Sequence, residues 1–366
     1  MMKYRVSNRQ VYSTFALTIA LSFGIPNLIL RELHQDFWQP LLIALAIEVC
    51  SGWLLYKMGL KYPGLTMFEY SEKILGKYLG KVCTFVISAF FIVVTMQLVQ
   101  STVEFYISII MPDTPSYVFL FFILLVSTYA VCSGIEIIMS MSEIICLVVI
   151  ASFLFIIVFN VKMFNIDNIE PMFQHSLLEI AKGVILPASW LGVCIVMGVL
   201  MAYHNKPKDM FKMKIGGVLT GSSVLIALIF AIIAVLGVEV GSRQVYSILI
   251  LAQMVSVGDF IERMEAFQVV SWMAGSFFSI SLFHYASSEG LRQLLSRKSR
   301  NGLSFVVAIF IFLVFIFFLP TIQNKTYFVS HLFLKFALWI ELGVVVGLFG
   351  VFIVKERVKK ALKKRN

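Results

Sequence analysis

Apolar residues run along this chain in stretches too long for the helices of a soluble core, and short polar clusters separate them. Ten such stretches stand out, at about 10–30, 39–60, 82–110, 117–134, 140–161, 182–203, 212–238, 263–289, 303–321 and 335–354. A bilayer core about 30 Å thick takes about 20 apolar residues per helix, and no water there satisfies an open backbone amide. The runs therefore predict transmembrane helices. They lack the strict alternation of a membrane barrel strand, so the chain reads as an all-α polytopic membrane protein with one transmembrane domain over residues 1–366.

Two of the ten runs are interrupted in the same way. The first carries "LSFGIPNLIL" at 21–30 and the sixth carries "GVILPASWLG" at 183–192. Five spans separate the two positions, and five is odd. A second half repeating the first would enter the membrane from the opposite side, which predicts a five-plus-five inverted repeat, about 10–161 and about 182–354, followed by a basic tail at 355–366. A helix unwound at mid-membrane offers amide hydrogens and carbonyls, and half-helix N-termini gather partial positive charge. Gly24, Ile25, Pro26 and Asn27, with Pro187, Ala188, Ser189 and Gly192, are the candidates to hold the carboxylate and ammonium of a zwitterion such as an amino acid. The alternative at either break is an ordinary proline kink.

Polar side chains elsewhere in the runs supply further candidates. Gln97, Gln100 and Glu104 share one face of the third span at i, i+3 and i+7, and Ser281 and Tyr285 share a face of the eighth, with Ser288 one turn on. They line a cavity between the broken helices on one reading and glue helices together on the other. Glu48 and Glu341 lie within the second and tenth spans and Glu104 in the third, each a proton carrier or a neutral structural carboxyl, and neither Glu48 nor Glu341 has a basic partner at helical spacing. The segment 243–267 holds an apolar stretch too short to span, and reads as an interfacial or re-entrant helix able to cap a vestibule. Gly217 and Gly221, and Gly343 and Gly347, have the four-residue spacing of close helix packing.

Composition agrees: 60% of the 366 residues are hydrophobic and 14% charged, with a mean hydropathy of +0.92. With the N-terminus inside, 23 of the 30 Lys and Arg fall on the cytoplasmic side, Lys206 to Lys214 among them, which puts both termini in the cytoplasm. The net charge of +10 then reads as topology and attraction to anionic membrane lipid, not nucleic-acid binding. The apolar start continues too far for a cleaved signal peptide. Five cysteines without CxxC spacing read as packing residues, and five scattered histidines give no ligand pattern, so neither a metal nor a cofactor is expected. Neither a P-loop nor a nucleophile elbow points to an enzyme.

Several stretches are familiar. The Gly-x-Pro opening, "YPGLTMFEYSEKILGKYLGK" (62–81), "MPDTPSYV" (111–118), "SGIEIIMSMSEI" (133–144) and above all "GDFIERMEAFQVVSWMAGSFFSISLFHYAS" (258–287) resemble the B subunits of bacterial spore germinant receptors. Glu262, Arg263, Glu265, Ala266, Phe267 and Trp272 form the most specific part. Two departures stand out: Met139, Ser140 and Met141 occupy a stretch where that family commonly has an arginine, and Ser279 stands where it frequently has a basic residue. The resemblance implies membership of the amino acid, polyamine and organocation transporter superfamily and a LeuT-type fold. It further implies the spore inner membrane, an A-type membrane subunit and a C-type lipoprotein as partners, and an amino acid or similar nutrient as germinant, bound between the broken first and sixth helices with the third and eighth closing the site. The alternative function is a proton- or sodium-coupled amino-acid permease.

Overall fold

The computed structural model describes residues 6–21, 25–255, 264–318 and 333–365. Its helices are α1 (Asn8–Ala20), α2 (Ile25–Leu33), α3 (Trp38–Lys61), α4 (Met67–Leu75), α5 (Lys77–Phe105), α6 (Ser116–Ser133), α7 (Ile135–Asn160), α8 (Leu177–Gly183), α9 (Ile185–Leu191), α10 (Met197–Leu200), α11 (Met210–Arg243), α12 (Ser247–Met254), α13 (Met264–Leu294), α14 (Asn301–Phe318), α15 (Leu334–Leu338) and α16 (Val345–Arg365). Among the described residues nine helical runs are long and apolar enough to cross a membrane. One of them, Pro26–Lys61, is turned by a corner at His34, whose φ is 47°. Helix α2 thus completes the first predicted span with α1, and α3 makes the second.

Local chemistry sets the helix starts. Ser7 and Gln10 form a reciprocal capping box at α1, with the Gln10 amide donating to Ser7 Oγ at 3.2 Å and the Ser7 amide donating to Gln10 Oε1 at 2.9 Å. Thr66 with Glu69 and Ser176 with Glu179 do the same for α4 and α8. Each box satisfies two amides that the first turn of a helix leaves open. Pro26 sits in the first turn of α2, where its missing N–H costs nothing.

The first and sixth spans occupy the middle. Every residue of α1 from Ser13 to Ala20 is buried, and Leu177–Tyr203 is the most buried of the nine runs. Helix α1 packs on α11, α7 and α13, while α13 packs on α5, α7 and α6. The α1–α11 contact is as close as the glycine spacing predicts: a methyl on Gly217 would meet the Tyr12 carbonyl and the Ala16 amide, and one on Gly221 the Ala16 carbonyl. Gly343 and Gly347 do not pack this way; Gly347 has open space beside it. Helix α11 bends at Gly237, whose φ of 74° suits a residue without a Cβ. Outside this centre α6 and α14 present apolar faces to lipid, and His284 ties them to α13. Its Nε2–H donates to the Ser304 carbonyl at 3.0 Å, leaving Nδ1 to accept from Ser127 Oγ at 3.1 Å. The basic tail continues α16 as helix and is held to the end of α3 by the Lys61–Glu356 ion pair at 2.9 Å.

Candidate functional site

A small cavity lies where spans one, three, six and eight meet. Thr18 and Leu21 line it from α1, Val94, Gln97 and Leu98 from α5, Trp190 and Val193 from span six, Ser279 and Phe283 from α13, and Phe333 from the start of the last span. It leaves about 20 Å³ for the centres of water-sized spheres, room for water and not for an amino acid. Three of its side chains carry a buried polar atom without a hydrogen-bond partner: Gln97 Oε1, Trp190 Nε1 and Ser279 Oγ. Unpaired buried polar atoms are rare in folded chains because each costs a lost hydrogen bond. Here an acceptor, a donor and a hydroxyl that serves as either belong to side chains that line one space. Among the described lining residues none is charged.

The sequence-derived candidates divide around this cavity. Gln97 lines it, with its amide nitrogen donating to Ser101 Oγ at 3.2 Å. Gln100 does not, and donates to Glu104 Oε1 at 3.3 Å. Pro26 and Asn27 are buried at the start of α2, away from the cavity wall; Gly24 lies outside the described residues, as does the side chain of Ile25. In span six Pro187, Ala188 and Gly192 are buried beside the cavity-lining Trp190 and Val193 without lining it, and Ser189 Oγ bonds the Ile185 carbonyl at 2.7 Å and the Leu334 carbonyl at 2.9 Å. The unwinding expected here is not found. Helices α9 and α10 are joined by a 3-10 stretch, Gly192–Val196, and Pro187 lies in the first turn of α9, so the chain tightens without opening.

On α13 the cavity face is Ser279 and Phe283, also at i, i+4, and Ser281 turns elsewhere, donating to the Phe277 carbonyl at 2.8 Å. Tyr285 belongs to a separate cluster at the end of spans six and eight. The Arg300 guanidinium lies 4.1 Å from its ring centroid, Tyr203 meets it edge-on at 6.2 Å, and Glu289 holds Arg292 at 2.7 Å and Arg300 at 3.7 Å. Glu104 lines a larger cavity, about 480 Å³ by the same measure, between the end of span three and α12. Helix α12, from the 243–267 stretch, lines that cavity, and elsewhere Asn160 Nδ2 donates to its Leu251 carbonyl at 3.0 Å; residues 256–263 of the stretch lie outside the described residues.

Spans one and six are tied together at both ends, which the sequence did not disclose. At one face the Val6 amide donates to the Tyr203 carbonyl at 2.8 Å and the Asn205 amide to the Val6 carbonyl at 3.0 Å. Burial pushes the neighbouring His204 imidazole below its ordinary pKa, against the pull of Asp209. At the other face the buried Asp36 carboxylate accepts from the Phe173, Gln174 and His175 amides at 2.5, 2.8 and 3.1 Å, and contacts His175 Nδ1 at 2.9 Å. This clasp fixes the loop before α8 onto the corner after α2.

Glu48 and Glu341 acquire a partner from span seven. Lys214, counted from sequence among the cytoplasmic loop charges, is instead fully buried and forms an ion pair with Glu48. Glu341 sits beside them in a π-helical stretch, Trp339–Val344, with Oε1 3.3 Å from Ser51 Oγ. A methyl on Gly192 would meet Glu341 Oε2, and one on Gly52 would meet Lys214 Nζ, so glycines make the room. Among the described residues no group of His, Cys, Asp and Glu is arranged to hold a metal.

Comparison with known proteins adds the family and the fold. The family model described as "Spore germination protein" matches residues 10–326. Spore germination protein YndE of Bacillus subtilis is 26% identical over 72% of this chain and 73% of its own length; spore germination protein KB of the same organism is 24% identical over 91% and 88%. Spore germination protein XB of Bacillus anthracis is 24% identical over 77% of each. Among solved structures, the nucleobase-cation-symport-1 family transporter Mhp1 in a closed conformation with bromovinylhydantoin bound superposes with a TM-score of 0.71 at 14% identity, covering 97% of this chain and 80% of that one. A Na+-coupled sialic acid symporter gives 0.63 at 13%, covering 95% and 78%. The shared architecture is the LeuT-type fold.

Proposed function

The chain belongs to the spore germination protein family, and on that premise we propose that it is the ligand-sensing subunit of a nutrient germinant receptor, binding a small molecule between spans one, three, six and eight. The observation that carries this reading is that three side chains lining one cavity, Gln97, Trp190 and Ser279, each hold a buried polar atom without a hydrogen-bond partner among the described residues. With no charged side chain among the described lining residues, a ligand of zero net charge suits the cavity, because a net charge would be desolvated without a counter-ion. An uncharged-side-chain amino acid meets that condition as a zwitterion, its ends met by side-chain dipoles and by the backbone at the first-span break. The cavity is too small for it in this conformation, so binding favours a more open one, and can do so only by the ligand's differential affinity for the two. The shift passes to an A-type membrane subunit and a C-type lipoprotein in the spore inner membrane, with both termini of this chain in the cytoplasm. The two halves, about 10–161 and 182–354, act as the repeats that move against each other.

The second reading, a proton- or sodium-coupled amino-acid permease, draws on the buried charges beside span six. Germination of spores lacking the chain, scored against amino acids, sugars and nucleosides with uptake measured in parallel, separates the two. The receptor reading expects loss of germination to one class of neutral nutrient with uptake unchanged. Unchanged germination with impaired uptake overturns it in favour of the permease.

A further inference from the structure

The cluster of Glu48, Lys214 and Glu341 holds two carboxyl groups and one ammonium, all at most 1% exposed. Its hydrogen bonds say where the balance is struck. Ser51 Oγ lies 3.0 Å from the Glu48 carbonyl and 3.3 Å from Glu341 Oε1. A hydroxyl has one hydrogen, and the Glu48 carbonyl and an ionised Glu341 carboxylate both only accept, so the two compete for it. A protonated Glu341 ends that competition, because its carboxyl can donate to Ser51 while Ser51 donates to the Glu48 carbonyl. Charge agrees with geometry: Lys214 is already paired with Glu48, and an ionised Glu341 would be a buried anion of its own with Oε2 unpartnered against Gly192.

We propose that Glu341 is a proton-binding site, its carboxyl donating through Oε1 to Ser51 and on to the Glu48 carbonyl, with proton occupancy tied to the packing of span six through Gly192. Around it, the charged and titratable groups on the packed elements are Glu48 from α3, Lys214 from α11 and the buried thiol of Cys194 from span six. Glu341 itself lies in a π-helical stretch, and such stretches recur at functional positions because they displace one side chain from the regular helical order. The proton needs no other reactant: it leaves to solvent as the carboxyl ionises and returns when span six packs against it again. This inference concerns the charged cluster and stands whether or not the cavity binds a nutrient.

The test is infrared difference spectroscopy on the full chain in lipid nanodiscs, titrated with pH. A protonated buried-carboxyl band is expected at neutral pH, shifting in D2O, lost in Glu341→Gln and retained in Glu48→Gln/Lys214→Met. Gly192→Ala, whose methyl meets Glu341 Oε2, moves the pH at which the band disappears, and Gly347→Ala, with open space beside it, does not. Where Gly192→Ala fails to accumulate, Cys194→Ala, which changes the packing of span six beside the cluster, must move that pH instead. A neutral-pH spectrum with no such band, or a band unchanged in Glu341→Gln, overturns the site; a midpoint unmoved by the Gly192 or Cys194 change overturns its link to span six.

Discussion

Replacing Lys214 by Met removes the only ammonium in a fully buried group of charges. Its Nζ pairs with Glu48 Oε1 and reaches the Glu48 carbonyl at 3.5 Å, and both side chains are 1% exposed. Breaking a buried pair by taking one partner costs about 3–5 kcal/mol, since the other charge stays buried and uncompensated, whereas replacing both by neutral groups of similar volume is close to neutral. Lys214→Met is therefore expected to lose about 3–5 kcal/mol and Glu48→Gln/Lys214→Met under about 2 kcal/mol. Glu48→Gln alone falls between them, because Glu341 is placed to lose its proton and replace the lost charge beside Lys214. Denaturant unfolding of the purified chain in detergent, followed by tryptophan fluorescence, measures all three. A Lys214→Met chain as stable as the parent, or a double variant no better than the worse single one, refutes the reasoning.

Three further changes bear on other parts of the molecule. Asp36→Ala removes the acceptor of three amides and of His175, and a loss of about 3 kcal/mol at that clasp should speed hydrogen exchange at Phe173 to His175 by about a hundredfold. Gly217→Val drives a side chain into the Tyr12 carbonyl and should cost at least about 1–3 kcal/mol, while Gly347→Ala, in open space on a helix, is neutral or stabilising; unfolding of the two chains checks the contrast. Trp190→Phe keeps the ring and removes the unpartnered N–H, so the nutrient dose for half-maximal germination should rise about two- to tenfold, as the loss of one hydrogen bond of about 0.5–1.5 kcal/mol requires.

The spans were legible because the bilayer demands an unmistakable pattern, and the Gly217 and Gly221 spacing marked a close helix contact correctly. Partnerships across the fold were not. Lys214 follows Lys206, Lys208 and Lys212 in sequence and looks like one more loop charge, yet it shares the face of Gly217 and Gly221 at i, i+3 and i+7, and that register was the available signal of burial. On α13 the serines were visible but their facing was not, because a serine in a membrane helix satisfies itself on its own backbone, as Ser281 does with Phe277. Ser279 was noticed only for what it replaces, while its hydroxyl is the one left unpaired at the cavity. The clasp at Asp36 is made by backbone amides more than 130 positions away, and amides leave no mark in a sequence.

The central claim, that a neutral nutrient acts from the cavity between spans one, three, six and eight, meets its most direct test in Ser279→Phe, which fills that cavity from α13. Spores carrying the variant at parental level in the membrane, exposed to a range of nutrient doses, should lose the response at every dose. A response undiminished at the parental dose would contradict the account.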